Sequence, residues 1–186
     1  TRWVSYQVSQ VISPDAVVFN DLTSAYTYVQ GYLKRDKPGS YFKSGTSTGG
    51  WGPGAALGAK IAAPDKDIVL ISGDGFYMFG EPMPALWSAR QHKAPTLTVV
   101  VVNASYSTGT TGVKDIYPKG YAATHNRFPG GLFDPPPNFA KLAESVDCWG
   151  EYVTETAEVG PAMQRGLKQV GDGIPAVVAV RVRNLV

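Results

Sequence analysis

Residues 67–75 read Asp-Ile-Val-Leu-Ile-Ser-Gly-Asp-Gly, and this stretch decides the fold of the chain. Residues 67–72 form an apolar run of strand length, which predicts a buried β-strand. Glycine and aspartate favour turns, so the strand is expected to end at Gly73-Asp74-Gly75. A strand that is apolar on both faces is typical of a parallel sheet covered by helices.

Similar strands alternate with helical patterns along the rest of the chain. Further strands are predicted at residues 16–20, 97–102 and 175–182, and helices at residues 4–12, 23–33, 55–63 and around 85–89. A helix, a strand and a helix are expected before the last strand. This alternation predicts an α/β fold, a doubly wound and mostly parallel sheet with helices on both faces. Because the sequence contains no repeat or linker, we interpret residues 1–186 as one domain.

The composition is that of a soluble globular protein. Hydrophobic residues make up 44% of the chain and charged residues 17%, and the formal net charge is +2 with both signs scattered. This balance argues against a nucleic-acid-binding surface. No apolar run is long enough to span a bilayer and no signal peptide is recognisable. We therefore expect no nucleic-acid partner, no membrane contact and a cytoplasmic location.

Polar residues end three of the predicted strands. Asn20-Asp21 follows the first, Gly73-Asp74-Gly75 the second and Asn103 the third. The carboxyl ends of parallel strands meet at one edge, where ligands bind in doubly wound sheets. The helix after Gly75 would offer free N–H groups to a phosphate. A carboxylate at the same place requires a cation such as Mg²⁺ or Ca²⁺ between itself and the phosphate.

Each of these features also has a simpler structural interpretation. Asp-Gly after a strand is a common turn, and an asparagine at a strand end is usually a cap. The pair of Asp74 and Asn103 is more specific, because 29 residues with one helix and one strand separate them. Neither histidine is predicted to be catalytic, since His92 is better explained as a solvated surface residue and His125 as a structural residue of a loop. No carboxylate–histidine pair or activated nucleophile lies in a recognisable motif.

The pattern of Gly73-Asp74-Gly75, a helix, an apolar strand and Asn103 resembles the signature of thiamine-diphosphate-dependent enzymes. Residues 54–75 are similar to the group that contains acetolactate synthase, pyruvate decarboxylase and benzoylformate decarboxylase. The segments 85–87, 94–96 and 103–106 resemble benzoylformate decarboxylase in particular. The resemblance covers essentially the whole chain, as the carboxy-terminal third of such an enzyme. It implies thiamine diphosphate and Mg²⁺ as cofactors.

The resemblance also implies roles for individual residues at the phosphate end of the cofactor. The side chains of Asp74 and Asn103 and the main-chain carbonyl of Ser105 would bind the metal. The diphosphate would be held at the Gly73–Phe76 turn, by the amides of Gly75 and Phe76. Thr23 and Ser24 would contact the terminal phosphate.

The glycine-rich segment would hold the other end of the cofactor. Between Ser47 and Gly49 the family places a carbonyl that accepts a hydrogen bond from the cofactor's 4′-amino group, and an apolar residue that supports its V shape. Here the supporting position falls on Gly49, which has no side chain, so Trp51 is an alternative. A second departure is Phe76, which stands where relatives often have serine.

The resemblance implies that part of the active site lies elsewhere. In this family a glutamate that activates the cofactor belongs to an amino-terminal pyrimidine-binding domain, and we expect that domain and the central domain to be absent from this chain. The chain begins at Thr1 without an initiator methionine, so we expect either a natural subunit or a piece of a longer polypeptide. The full enzyme would be a homodimer or tetramer.

The implied function is decarboxylation or carboligation of a small 2-oxo acid, which the residues do not separate. The alternative hypothesis is a non-catalytic nucleotide-binding or regulatory α/β module, although residues 49–54 do not fit the dinucleotide-binding pattern. Residues 104–137 are rich in Gly, Pro, Thr and Tyr and are predicted to form a long loop. Loops of that length are usually functional, and we expect this one to cover the active site.

Overall fold

The computed structural model describes residues 1–45 and 48–183. The strands are β1 (Val17–Asp21), β2 (Tyr41–Lys43), β3 (Ile68–Gly73), β4 (Leu97–Val102), β5 (Trp149–Val153) and β6 (Ala176–Arg181). They form one six-stranded sheet in the order β2-β1-β3-β4-β6-β5. Every neighbouring pair is parallel. The predicted doubly wound α/β fold is confirmed, and the sheet is fully parallel.

Helices cover both faces of this sheet. They are α1 (Arg2–Val11), α2 (Tyr26–Tyr32), α3 (Gly52–Ala62), α4 (Asp74–Phe79), α5 (Pro82–Gln91), α6 (Ser107–Ile116), α7 (Tyr121–Thr124), α8 (Phe139–Glu144) and α9 (Val159–Gly171). Helices α1, α2 and α9 pack on one face, whereas α3, α4, α5 and α8 pack on the other. No helix in the described part of the chain is long and apolar enough to cross a membrane.

The central strands supply both hydrophobic cores. Successive side chains of a strand point to opposite faces of the sheet. In β3, Val69 and Ile71 therefore belong to the core under α1, α2 and α9, while Ile68 and Leu70 belong to the other core. All four side chains are at most 1% exposed. Burial on both faces explains why this strand is apolar throughout and not alternating.

The strand order places a topological switch point between β1 and β3. The chain moves from β1 outward to β2, then returns to the other side of β1 and continues through β3 to β4. Ligands of doubly wound sheets bind beyond the carboxyl ends of the strands at such a point. Asp21 ends β1 and Gly73 ends β3, and the register pairs Asp21 with Ser72. The polar strand ends predicted from the sequence therefore lie at this edge.

The prediction of one long loop at residues 104–137 is wrong for residues 107–116 and 121–124, which are helical. The segment contains α6 and α7. Helix α6 includes Gly109 and Gly112 and three threonines, which have low helix propensity, so the sequence gives little sign of a helix there. The Thr110 side chain of this helix is buried. The backbone N–H of Tyr106, which precedes the helix, donates a hydrogen bond to the carbonyl of Gly131. Tertiary contacts thus accompany a helix that local propensity does not favour.

Three smaller differences concern element boundaries. Helix α2 begins at Tyr26, three residues after the predicted start, and the edge strand β2 was not predicted. The glycine–aspartate turn is followed by two helices and not one. The break between α4 and α5 lies at Glu81, whose φ of 49° is left-handed, followed by Pro82 at the start of α5. Proline favours the first turn of a helix, so it starts a new one here.

Candidate active site

Asp74 lies at the junction of β3 and α4 and is 2% exposed. Its Oδ1 accepts a hydrogen bond from the Gly75 N–H at 2.9 Å, and its Oδ2 accepts one from the Ala104 N–H at 2.6 Å. Burial raises the pKa of the Asp74 carboxyl, and the two amides together with the charge of Arg181 oppose this shift. A carboxylate has about four lone-pair sites, so each oxygen can also bind a cation.

Asn103 belongs to a polar cluster next to Asp74. Its Oδ1 accepts from the Ser105 N–H at 3.1 Å, and its Nδ2 donates to Ser107 Oγ at 2.7 Å. The Ser105 and Ser107 hydroxyls are 2.7 Å apart. Because Ala104, inside this segment, donates to Asp74, the structure brings the three predicted metal-binding residues into one hydrogen-bonded cluster. Ser107 was missed by the sequence analysis, since a serine at the start of α6 carries no motif.

Asp21 fixes the glycine-rich segment to the sheet. Its carboxylate accepts hydrogen bonds from the amides of Gly50, at 3.1 Å, and Gly52, at 3.4 Å, and from Ser72 Oγ at 3.3 Å. Gly50 has a φ of 91°, which non-glycine residues rarely adopt. At Gly52, an added Cβ would lie 2.6 Å from Leu70 Cδ1. Asp21 is thus a structural acceptor, a role that the sequence could not assign without the register of β1 and β3.

The stability conferred by Asp21 should depend on pH. Burial raises the pKa of the Asp21 carboxyl in the folded chain, against the bonds from Gly50, Gly52 and Ser72. A raised pKa favours the protonated acid in the folded state, so this contribution is fully present below the ordinary pKa of 3.8 and is lost as the pH rises through the folded pKa. We expect the free energy of unfolding of the wild type, measured relative to that of Asp21→Asn, to fall from pH 4 to pH 7. Urea titrations over that range measure it, and a difference that grows with pH would contradict the assignment.

The start of the 104–137 segment lies against the strand ends. The Tyr106 ring packs on Gly75, where an added Cβ would lie 2.6 Å from Tyr106 Cε1. The Thr108 hydroxyl is 3.1 Å from the hydroxyl of Thr23, which lies in the loop after β1. Ser24, the other predicted phosphate contact, is exposed in the same loop. These contacts place α6 beside the residues predicted to hold the diphosphate.

Gly49 lies directly under the ring of Phe76. A Cβ added to Gly49 would lie 1.9 to 2.2 Å from Cγ, Cδ1 and Cδ2 of that ring. The structure therefore joins two of the predicted cofactor-binding positions from separate parts of the chain. Ser47, predicted to lie near the cofactor's amino group, is outside the described residues.

Residues 21–180 match the model of a protein family described as the C-terminal TPP binding domain of thiamine pyrophosphate enzymes. The chain belongs to this family. Thiamine pyrophosphate is another name for thiamine diphosphate, so the resemblance predicted from residues 73–75 and Asn103 is confirmed at the level of the family.

Individual thiamine pyrophosphate enzymes share both sequence and structure with the chain. It is 33% identical to a benzoylformate decarboxylase of Pseudomonas aeruginosa over 102 residues, which is 54% of this chain and 19% of that protein. It is 29% identical to the acetolactate synthase large subunit of Buchnera aphidicola, over 96% of this chain and 32% of that protein. The structure of a thiamine diphosphate-dependent 4-hydroxybenzoylformate decarboxylase of Rhodococcus jostii RHA1 superimposes with a TM-score of 0.83 and 26% identity, over 98% of this chain and 32% of that one. The chain thus spans about a third or less of these relatives.

Proposed function

We propose that this chain supplies the diphosphate and metal site of a thiamine-diphosphate- and Mg²⁺-dependent enzyme that acts on 2-oxo acids. The observation that carries the proposal is the cluster of Asp74, Asn103 and Ser105 at the carboxyl ends of β3 and β4, next to the switch point of the sheet, in a member of the thiamine pyrophosphate enzymes. The names of the relatives, benzoylformate decarboxylase and acetolactate synthase, support 2-oxo acids as the substrate class.

The donor atoms of this cluster suit Mg²⁺. In the described residues no group of three or more His, Cys, Asp or Glu side chains could hold a metal. A metal here would therefore be held by one carboxylate, from Asp74, together with the amide oxygen of Asn103, the carbonyl of Ser105 and oxygens of a bound diphosphate. Mg²⁺ prefers oxygen ligands and is commonly bound by one or two carboxylates plus phosphates. The residues present fit that arrangement.

The surrounding backbone suits the diphosphate. The turn at Gly73, Gly75 and Phe76 would present amides to it, and Thr23 and Ser24 would reach the terminal phosphate from the loop after β1. The Gly75 amide donates to Asp74 Oδ1 in this structure, so a phosphate oxygen there would share or replace that bond. The side-chain space at Gly75 is already taken by the Tyr106 ring, so this ring borders the turn that would present its amides to the diphosphate.

The chain's own residues bind and orient, whereas the cofactor carries the reaction. When bound, thiamine diphosphate supplies the nucleophilic carbon and the electron sink for decarboxylation or carboligation of a 2-oxo acid. Asp74 and Asn103 would hold the metal ion, whose positive charge would offset that of the diphosphate, and Asp21 would hold the glycine-rich segment in place. Which acceptor takes the product depends on parts of the enzyme beyond these residues.

A second domain would complete the site. Large apolar side chains are exposed on α4 to α7; they include Phe79, Met83, Trp87, Ile116 and Tyr121. Exposed apolar surface of this kind often marks an interface. We propose that a pyrimidine-binding domain, from a partner chain or the rest of a longer polypeptide, covers it, and that the full enzyme is a homodimer or tetramer.

Calorimetry with three separate ligands distinguishes the proposed function from that of a general nucleotide-binding module. The ligands are thiamine diphosphate with Mg²⁺, NAD, and ATP. We expect binding of thiamine diphosphate that requires Mg²⁺, and no binding of the two nucleotides. Binding of NAD or ATP in preference to thiamine diphosphate would favour the alternative.

Substitutions of Asn103 should separate a metal ligand from a strand cap. Asn103→Leu should weaken Mg²⁺-dependent binding of thiamine diphosphate at least about tenfold. Substituting a residue that only hydrogen-bonds to a metal ligand already lowers metal affinity about 10- to 100-fold. The loss of affinity in Asn103→Asp should be smaller, because one carboxylate oxygen can still bind the metal and the other can accept a hydrogen bond from the Ser107 hydroxyl. Asn138→Leu is a control, since Asn138 caps α8 and lies outside the cluster. Equal affinities of the Leu and Asp variants, measured by calorimetry, would make Asn103 a cap.

A further inference from the structure

Phe76 occupies space that a side chain at position 49 would need. The three ring atoms within 2.2 Å of an added Gly49 Cβ are much closer than any real Cβ contact, so the ring and a side chain at 49 exclude each other. The φ angle of Gly49 is not in the left-handed region, unlike that of its neighbour Gly50. Glycine at position 49 is therefore explained by the space that the ring takes and not by backbone conformation.

Trp51 is already engaged elsewhere. Its ring lies 5.8 Å from that of Phe19 on β1, and it packs against the core formed by α3, α5 and α8. The residue begins α3 as its N-cap, and its side chain is directed onto the sheet. The sequence offered Gly49 and Trp51 as the apolar support of the cofactor. Gly49 has no side chain, and the side chain of Trp51 faces the hydrophobic core.

We infer that the Phe76 ring is the apolar support for the ring system of thiamine diphosphate, in place of a side chain at position 49. The inference rests on the proposed function. The amide of Phe76 is one of the groups proposed to hold the diphosphate, so its side chain begins within one residue of the phosphate end of the cofactor. The ring is half-buried and extends from α4 across to the glycine-rich segment. Phe76 is thus a positioning residue that joins the diphosphate turn to the segment where the cofactor's rings would lie.

The test compares two ligands that share the diphosphate and differ in the rings. Calorimetry measures the affinity of this chain for thiamine diphosphate and for inorganic diphosphate, each with Mg²⁺. Phe76→Ser should weaken thiamine diphosphate binding roughly tenfold, as expected for the loss of an aromatic contact. The affinity for inorganic diphosphate should stay within about twofold, because the amide of residue 76 remains.

Three further variants separate support of the cofactor from support of the fold. Phe76→Leu keeps an apolar side chain and should keep most of the affinity. The double variant Gly49→Leu/Phe76→Ser moves the apolar group to the other segment and should recover affinity lost in Phe76→Ser. Tyr32→Ser is the control, since it removes an aromatic ring that is 44% exposed from α2, which packs on the face of the sheet opposite to α4. It should bind both ligands like the wild type.

The outcomes distinguish this inference from the proposed function. If the wild type binds neither ligand with Mg²⁺, the proposed function fails and the inference fails with it. If the wild type binds both and Phe76→Ser loses neither, or loses both equally, only the role of Phe76 is overturned. A selective loss for thiamine diphosphate that the double variant restores supports the inference, because a purely structural role for the ring would not produce that selectivity.

Discussion

Replacing Asp74 by asparagine is expected to lower the Mg²⁺-dependent affinity of this chain for thiamine diphosphate by at least about 100-fold. Substituting a residue that only hydrogen-bonds to a metal ligand already lowers metal affinity about 10- to 100-fold, and the loss of a charged ligand should lower it more. Asp74 would be the only carboxylate among the proposed ligands, so no neighbouring charge would compensate. Without a cation, the site would also lose the attraction that brings the diphosphate to this edge of the sheet.

Asparagine tests this better than alanine because Asp74 also supports the fold. Its two carboxylate oxygens accept the N–H groups of Gly75 and Ala104, and the site is almost fully buried. Alanine would leave these amides without that acceptor, at a cost of about 1 to 3 kcal/mol for a buried group. Asparagine keeps the volume and one acceptor oxygen.

Calorimetry with and without Mg²⁺ measures the effect, and thermal unfolding checks the fold. Asp67→Asn is the matched control, since Asp67 is exposed and immediately precedes the same strand at its opposite end. The control should bind like the wild type. A folded Asp74→Asn variant with undiminished Mg²⁺-dependent affinity would end the assignment of Asp74 as a metal ligand.

The second large effect concerns catalysis by the chain alone. With thiamine diphosphate and Mg²⁺ present, we expect no turnover of pyruvate or benzoylformate. The resemblance to the family implies that a glutamate of another domain activates the cofactor. This glutamate would contact the pyrimidine ring, at the end of the cofactor remote from the diphosphate. A carboxylate that binds the metal cannot also reach that end.

The carboxylates of the described residues support this expectation. Only Asp21 and Asp74 are buried, and both accept hydrogen bonds from backbone amides at the strand ends. All five glutamates of the chain lie in the described part, and none is buried. Glu151 forms an ion pair with Arg165, which also contacts Glu158. The two buried carboxylates therefore lie at the strand ends proposed to bind the metal and the diphosphate, whereas the glutamates of the described residues are half-buried or exposed.

Release of CO₂ from each substrate measures turnover, with a complete relative of known activity as the positive control. Adding the proposed pyrimidine-binding domain should raise activity at least about a hundredfold above background, because general acid–base groups typically contribute about 10²- to 10⁴-fold. Multiple turnovers by a homogeneous sample of this chain alone would overturn the two-domain interpretation.

The sequence predicts the sheet better than the segments around it. Strands β3 and β4 are apolar runs that end in Asp74 and Asn103, and their pattern follows directly from burial on both faces. Strand β2 has three residues at an exposed edge, so it leaves little hydrophobic signal. Helix α6 was missed because two glycines lie within it.

The candidate site was predictable where residues act through sequence motifs, and not where they act through register. Asp74 and Asn103 belong to a motif and are brought together as expected. The contact of Asp21 with the glycine-rich segment depends on β1 lying beside β3, which no local pattern encodes. The packing of Phe76 on Gly49 likewise joins residues from different connections of the sheet, so no local sequence pattern predicts it.

The position of β6 between β4 and β5 has a consequence for the order in which a ribosome could complete this sheet. Strands β1, β3 and β4 are all available to pair once residue 102 has emerged, because each lies beside another of the three. In the described sheet β5 borders only β6, so it has no neighbour until residues 176–181 have been synthesised. The edge that carries Asp74 and Asn103 could thus take shape on the nascent chain before β6 is made, whereas β5 must wait for β6 to be translated.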